Sequence, residues 1–375
     1  MSRWLTNVFR LGLKELSSLS RDLVMMGLIL YTFTLAIYTV ATGVRTDVAN
    51  AAVAVIDGDD SELSRRLRDA LQPPYFKTPL RIDRGLVDAM MDRGDVTFVL
   101  DLPPRLEADL LAGRKPTIQL LVDATAMTQA GVGTGYIQNI VAAETLDFLE
   151  SRGARERLPA KVVSRVYFNP NLDSVWFNSV MQILENVTIL SMILVGAAVI
   201  RERERGTIEH LLVMPVTASE IALAKIWANG LVVLIAAGLS LVFVVKGLLG
   251  VPIAGSIPLF LAGSAIYLFA STALGVLLAT IANTMPQFGL LSIPVFVVMN
   301  LLSGAATPQE AMPDWLRLGM QISPSTHFVR LAQAVLYRGA GAEIVWPQMA
   351  LMAGLGALFL GIALARFRAT LARQA

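Results

Sequence analysis

The sequence predicts an α-helical integral membrane protein of six transmembrane helices, with a mixed α/β domain inserted on the extracytoplasmic side. Three observations carry this. The chain is 55% hydrophobic and only 16% charged, where soluble domains carry roughly 25% charged residues. Its apolar residues gather in runs close to the roughly 20 residues that cross a bilayer core. Between the first run and the second, short β-prone segments alternate with helical ones, the pattern of a small layered domain.

The runs lie at 23–44, 180–200 (with a cleanly apolar part from Val187 onward), 226–245, 257–281, 288–303 and 346–365. The first is longer than a signal-peptide core, which predicts an uncleaved anchor although Ala49, Asn50 and Ala51 follow it. The fifth is short and carries Pro294, which predicts a kink. Lys and Arg in short segments mark the cytoplasmic side. Arg3, Arg10, Lys14 and Arg21 precede the first run; Arg201, Arg203, Arg205 and Lys225 separate the second from the third; Arg366, Arg368 and Arg373 follow the last. With six spans these segments share one side, so both termini are expected in the cytoplasm. Arg317, Arg330 and Arg338 before the sixth span run against the trend. The expected organisation is a cytoplasmic N-terminus and first span at 1–44, an extracytoplasmic domain at 45–178 and a five-span membrane domain at 179–375.

In the inserted domain, 51–56 reads as a strand, closed by a turn and helix cap at Asp57, Gly58, Asp59 and Asp60. A helix is expected over 63–71 and a strand over 96–100. Pro103 and Pro104 open a helix running to Leu111 and ended by Gly113. Further strands are expected at 118–122 and 161–168, and a long helix at 128–150. Gly131, Gly133 and Gly135 do not match a dinucleotide fingerprint and read as a turn or helix start.

Several chemistries are excluded by composition. There is no Cys, hence no thiolate metal site, disulfide or catalytic thiol, and there are two His, at 210 and 327. The net charge of +2 leaves no nucleic-acid footprint. No G-x-x-x-x-G-K-[ST], H-E-x-x-H or G-x-S-x-G occurs, so neither phosphate cradling of the P-loop kind nor a common hydrolytic site is encoded. Neither a catalytic residue nor a metal site is expected.

The informative stretch begins where the second span ends: Arg201, Glu202, Arg203, Glu204, Arg205, Gly206, Thr207, Ile208, Glu209, His210, Leu211, Leu212, Val213, Met214, Pro215. The alternating charges can pair three or four residues apart. Ile208, Leu211 and Leu212 then form one apolar face, and Pro215 stops the helix. A short amphipathic helix is expected over 201–214, fit for the membrane interface or a partner's groove. A charged stop-transfer sequence would read the same way.

This run, followed by Ser219, Glu220 and Lys225, resembles the cytoplasmic signature of ABC type-2 export permeases. Asn169-Pro170 with Trp176-Phe177 looks like that family's entry to span two. Met312-Pro313-Asp314-Trp315-Leu316 and Ser323-Pro324-Ser325-Thr326-His327-Phe328 look like its segment between spans five and six. Many members have a Val-Pro-Gly turn at the start of span two where this chain has Phe177-Asn178-Ser179. The resemblance covers nearly the whole chain, and within that family the chain is similar to bacterial inner-membrane permeases with a large periplasmic domain after the first span, often considered multidrug exporters. It implies a permease dimer (homo- or heterodimer) and a separate ATPase subunit that binds ATP and Mg, with 201–214 as the coupling helix. It also implies an outer re-entrant gate within 304–341, where Pro313, Trp315, Pro324 and His327 fall.

Inside the spans, Glu185, Asn186 and Asn300 are candidates for a substrate path, since an intramembrane ionisable group is costly. Helix packing, or contact with water near the interface, is the plainer reading of Glu185 and Asn300. Gly263, Gly275, Gly354 and Gly356 are expected at close helix contacts. The functional expectation is export of a hydrophobic or amphiphilic substrate. The external domain points to a periplasmic adaptor with an outer-membrane channel. An ion-coupled secondary transporter, usually built from internal repeats that are not visible here, and a membrane scaffold or signalling protein with an external sensor are the alternatives.

Overall fold

The computed structural model describes residues 2–43, 50–123, 127–152, 173–204, 216–307, 309 and 312–372. The chain divides into two compact units, one formed by 1–43 with 175–375 and the other by 44–174.

The membrane unit begins with α1 (Ser2–Ser20), then α2 (Leu23–Phe33) and α3 (Leu35–Gly43). Helix α1 was not anticipated from the sequence. Asp22 caps α2 by accepting from the Met25 amide. Helices α2 and α3 are one apolar run broken at Thr34, whose φ of −124° and ψ of −82° leave the helical region.

The second unit follows. It contains β1 (Val53–Asp57), α4 (Glu62–Asp69), β2 (Leu80–Arg81), α5 (Val87–Asp92), β3 (Phe98–Leu102), α6 (Leu106–Leu111), β4 (Gln119–Val122) and α7 (Met127–Ser151). The sheet order is β2-β1-β3-β4, with β1 parallel to both neighbours and β3 antiparallel to β4. Both faces of the central strands are covered, which is why they read as continuous apolar runs. Val53, Val55, Phe98 and Leu100 pack with Leu63, Leu67, Ile137 and Phe148 from α4 and α7. Ala54 and Val99 face Val87 of α5 instead. Full burial of such side chains is worth about 1.5–3 kcal/mol each. Gly113 closes α6 at φ 72°, where a side chain would be strained. The three glycines at 131–135 lie within α7. Only Gly133 is there for contact, since a Cβ would stand 2.3 Å from the Phe98 ring, while Gly131 and Gly135 have open space. The strand expected at 161–168 lies outside the described residues.

The chain returns to the membrane unit through α8 (Ser174–Glu204), α9 (Ala218–Leu239), α10 (Ile257–Ile281), α11 (Met285–Leu301), α12 (Asp314–Gly319), α13 (Pro324–Ala332) and α14 (Ala342–Ala372). Helix α9 continues through a π-helical stretch over Ser240–Leu248. Among the described residues, five helical segments are long and apolar enough to cross a membrane: Leu23–Gly43, Ser174–Glu204, Ala218–Leu248, Ile257–Ile281 and Ala342–Arg366. The expected fifth span is a shorter apolar helix, Met285–Leu301, with Pro294 inside it.

In lipid, helices associate through close packing and polar contacts rather than by escape from water. A Cβ at Gly275 would stand 2.7 Å from the Met192 carbonyl oxygen, at Gly263 2.6 Å from Leu331, and at Gly356 2.7 Å from Phe269. Gly354 has nothing within 4 Å, so its expected packing role falls away. Thr188 and Tyr267 share a hydrogen bond of 2.7 Å, and Ser191 and Ser271 one of 2.8 Å, joining α8 to α10. The unit has two distinguishable ends. The start of α9 and the end of α10 lie at one. At the other, the segment after α13 meets both the α9–α10 loop, where the Ala254 amide donates to the Leu336 carbonyl, and the start of α8, where the Tyr337 hydroxyl donates to the Trp176 carbonyl.

Candidate functional site

Lys225 sits on the first turns of α9, facing inward at 2% exposure. A buried ammonium requires compensating charge. Two carboxylates supply it: Glu15 of α1 and Glu202 of α8, each 2.9 Å from the lysine Nζ. One side chain therefore ties three helices together at the same end of the unit.

The four charges that close α8 do not pair with one another as the alternation predicts. Successive helical residues point about 100° apart, so four in a row sweep a full circle. Each reaches a different neighbour. Arg201 lies 3.9 Å from Asp22, in the link between α1 and α2. Glu202 meets Lys225. Arg203 donates to the carbonyls of Ala279 (3.2 Å) and Ala282 (2.5 Å), which lack helical partners at the end of α10. Glu204 accepts from the amide of Met285, the first residue of α11, at 2.9 Å. A cation at a helix C-terminus and an anion at an N-terminus each complement the helix dipole. Arg203 and Glu204 thus go to unsatisfied helix ends.

Helix α1 is laid along α9 by a second set of contacts. Trp227 donates to the Val8 carbonyl at 3.1 Å and stacks on Phe9 with ring centres 5.7 Å apart. Asn7 donates to Glu220 at 2.9 Å, and Glu220 closes a capping box with Thr217 at the start of α9. Gly12 permits the approach, for a Cβ there would stand 2.1 Å from the Trp227 ring. Beside this contact face, Leu5, Phe9 and Leu13 recur every fourth residue along α1 and are about half exposed. That apolar stripe suits a helix lying in a membrane interface.

The remainder of the expected coupling helix, namely Arg205, Gly206, Thr207, Glu209, His210, Leu211, Leu212 and Pro215, lies outside the described residues. Its flanks are the two helices joined by Glu202 and Lys225.

The three intramembrane candidates separate. Glu185 of α8 meets Asn300 of α11 and Gln182, beside a small cavity also lined by Thr188 and Ser303. Asn186 is 5% exposed and turns instead to α2, donating to the Thr32 carbonyl at 2.8 Å. That carbonyl stands at the break between α2 and α3, so Asn186 satisfies a polar group freed by the kink. Of the residues in the expected outer gate, Pro313 precedes α12, and Trp315 is 73% exposed. Pro324 opens α13, and both it and His327 are buried. The His327 Nε2 pairs with the Gln321 carbonyl at 2.9 Å, while Nδ1 is buried without a partner. Burial holds this imidazole below its ordinary pKa, helped by nearby Arg330, so the ring is neutral at pH 7 and donates from Nε2.

Among the described residues, no cluster of three or more His, Asp or Glu side chains is placed to hold a metal. Sequence reasoning missed Glu15 and the docking of α1. The available signal was the Leu5, Phe9, Leu13 spacing together with Trp4, Asn7 and Gly12 along the same helix.

Comparison with known proteins matches this arrangement to a transporter lineage. A model of the ABC-2 family transporter protein covers residues 23–365. The chain is 50% identical over 373 residues to the inner membrane transport permease YhhJ of Escherichia coli (strain K12), with both chains covered in full. It is 30% identical over 346 residues to the probable multidrug ABC transporter permease YbhR of the same organism, covering 90% of this chain and 91% of that one. The ABC transporter G family member 20 of Dictyostelium discoideum is a more distant relative, 22% identical over 191 residues, or 50% of this chain and 26% of that one. In such permeases ATP hydrolysis belongs to a separate ATP-binding subunit. A multi-pass chain with this helix set and these relatives belongs to the ABC-2 family of transporter membrane proteins.

Proposed function

We propose that the chain is the transmembrane subunit of an ATP-driven exporter that moves a hydrophobic or amphiphilic substrate out of the cytoplasm or inner membrane. The observation that carries this is the Lys225 junction with Glu15 and Glu202. It joins the two helices flanking 205–215 to each other and to an interfacial helix. A push on that segment would then move α1, α8 and α9 as one body. The arginines at this end favour both termini in the cytoplasm, with 45–178 on the far side. In this reading the ATPase docks against 201–215, and ATP and Mg are bound there and not by this chain. Met285–Leu301 serves as the sixth span, tilted or kinked at Pro294. A second permease copy, identical or related, covers part of the exposed apolar surface of Leu23–Gly43 and Ala342–Arg366, each only 17% buried over its apolar window. Glu185 with Asn300 lines the substrate path, and the segment 304–341 with Pro313, Trp315, Pro324 and His327 forms the outer gate. The printed names of the relatives, a transport permease and a multidrug permease, support export of apolar cargo. The inserted α/β domain suits a periplasmic adaptor leading to an outer-membrane channel.

The test is co-purification of the ATP-binding subunit with the full chain from membranes. Changing Glu202 and Glu204 together to Lys is expected to lose the partner, because both helix-end contacts become repulsive. Undiminished recovery of the ATPase with a folded double variant would refute the docking assignment.

A further inference from the structure

The opposite end of the membrane unit holds a cavity of about 660 Å³, lined mostly by the segment 304–341 read above as the outer gate. Its size lies within the usual range for small-molecule sites. The polar lining consists of Arg330, Arg338, Gln309, Gln333 and Gln348, with no carboxylate among the described residues. Arg330 is oriented by Gln309 and by Gln321 at 3.2 Å, two neutral partners that leave its charge uncompensated. The Arg338 side chain has no hydrogen bond or ion pair with the described residues. The Gln348 Oε1 is buried with no partner among the described residues, an unsatisfied group of a kind that native interiors rarely keep. The side-chain amide can present either its oxygen or its NH2 to an occupant. The apolar part of the lining includes Phe177, Ala334 and Ile344. Ile344 is 59% exposed, and its neighbour Trp346 62%, so the rim of the cavity runs into the apolar surface of α14.

Two guanidinium groups without a described carboxylate partner, apolar lining residues beside them and a rim continuous with an exposed apolar helix describe a receptor for an acidic amphiphile. We propose that this cavity binds the phosphate headgroup of an anionic membrane phospholipid, with the acyl chains leaving past Ile344 along α14. Guanidinium forks suit phosphate oxygens, and a zwitterionic headgroup would bring an ammonium against Arg338.

The test is native mass spectrometry of the full-length chain released from vesicles of equal phosphatidylglycerol and phosphatidylcholine. Selective retention of phosphatidylglycerol is expected. Arg338→Gln should weaken that retention about tenfold, the scale of one charge-assisted contact, without disturbing any contact within the fold. Ala334→Leu fills the cavity at unchanged charge and should weaken it similarly. Arg317→Gln removes an exposed arginine that pairs with Asp314 away from the cavity, and should leave it unchanged. Equal retention of the two lipids, or parental selectivity in both Arg338→Gln and Ala334→Leu, would overturn the proposal. Full displacement of the lipid by soluble glycerol phosphate would overturn the lipid assignment, since the site would then read phosphate alone.

Discussion

Replacing Lys225 with Met tests the junction most directly. Methionine keeps the length of the stem and removes the charge. Each Nζ to carboxylate contact, at 2.9 Å, has a Coulomb energy of about 6 kcal/mol at an effective dielectric of 20. Most of that is offset by the desolvation of a lysine 2% exposed and carboxylates about 20% exposed. The net cost of the substitution comes from what it removes: the buried cation that holds a carboxylate of α1 and one of α8 together. Removing one partner of a buried pair costs about 3–5 kcal/mol. The remaining exposure of Glu15 and Glu202 lets water reach them, which lowers the expectation to roughly 2–3 kcal/mol. The assay is thermal or denaturant unfolding of the purified chain in lipid nanodiscs, followed by helical circular dichroism. Lys225→Met with Glu15→Gln and Glu202→Gln should recover most of the loss, because the neutral amides no longer repel. The mechanical reading adds a second expectation. In the complex with its ATPase, Lys225→Met should leave ATP hydrolysis running while transport falls. Stability within about 0.5 kcal/mol of the parent, or a triple variant no better than the single one, would refute the ion-junction reasoning.

Two further outcomes follow from packing and titration. Gly275→Ala would set a Cβ 2.7 Å from the Met192 carbonyl oxygen and 3.1 Å from its Cα, backbone atoms that cannot swing aside; a loss of about 1–3 kcal/mol is expected in unfolding measurements, whereas Gly354→Ala, with open space around it, should be neutral. The imidazole of His327 is held below its ordinary pKa by burial, so the unfolded state takes up its proton first as pH falls. Stability of the 324–337 segment should be complete above about pH 6.5 and decline below it. Hydrogen exchange there should speed up on acidification, and His327→Gln should flatten the response; an unchanged slope would assign the sensitivity to another group.

Legibility in the sequence divides along physical lines. Spans 257–281 and the core of 180–200 were plain because a run of apolar residues is a local property. Their ends were not. Helix α8 extends from Ser174 to Glu204, well past its apolar part, because hydropathy reports lipid contact while hydrogen bonding carries the helix onward. The strands β1 and β3 were within two residues of expectation, since both are buried on two faces and read as apolar runs. Strand β2 has two residues, too few for any periodicity to register. Helix α1 was hidden by its own mixture: its charged and aromatic residues make sense only against Trp227 and Lys225, more than 200 positions away. The same holds for the partners of Arg201, Glu202, Arg203 and Glu204. The alternation was visible, but local rules paired the charges within the helix, while the fold offered them carbonyls and amides that had no other partner. Glu185 and Asn300 were each flagged by polarity, and their meeting is a tertiary fact.

The distribution of those four charges bears on why a transporter would keep them. An isolated ion pair at the end of a span anchors one neighbour and can be exchanged for water at little cost, since exposed pairs contribute about 0–1 kcal/mol. Here every charge ends on a separate element, and two of the four partners are backbone groups at helix termini, positions that cannot change rotamer. Displacing the end of α8 by even one ångström stretches contacts to the α1–α2 link, α9, α10 and α11 at once. A load entering through 205–215, as proposed, is therefore shared among helices from both halves of the membrane unit. Coupling through such a joint does not require a continuous path of moving side chains; it requires that the ends of five helices have no cheap way to move apart.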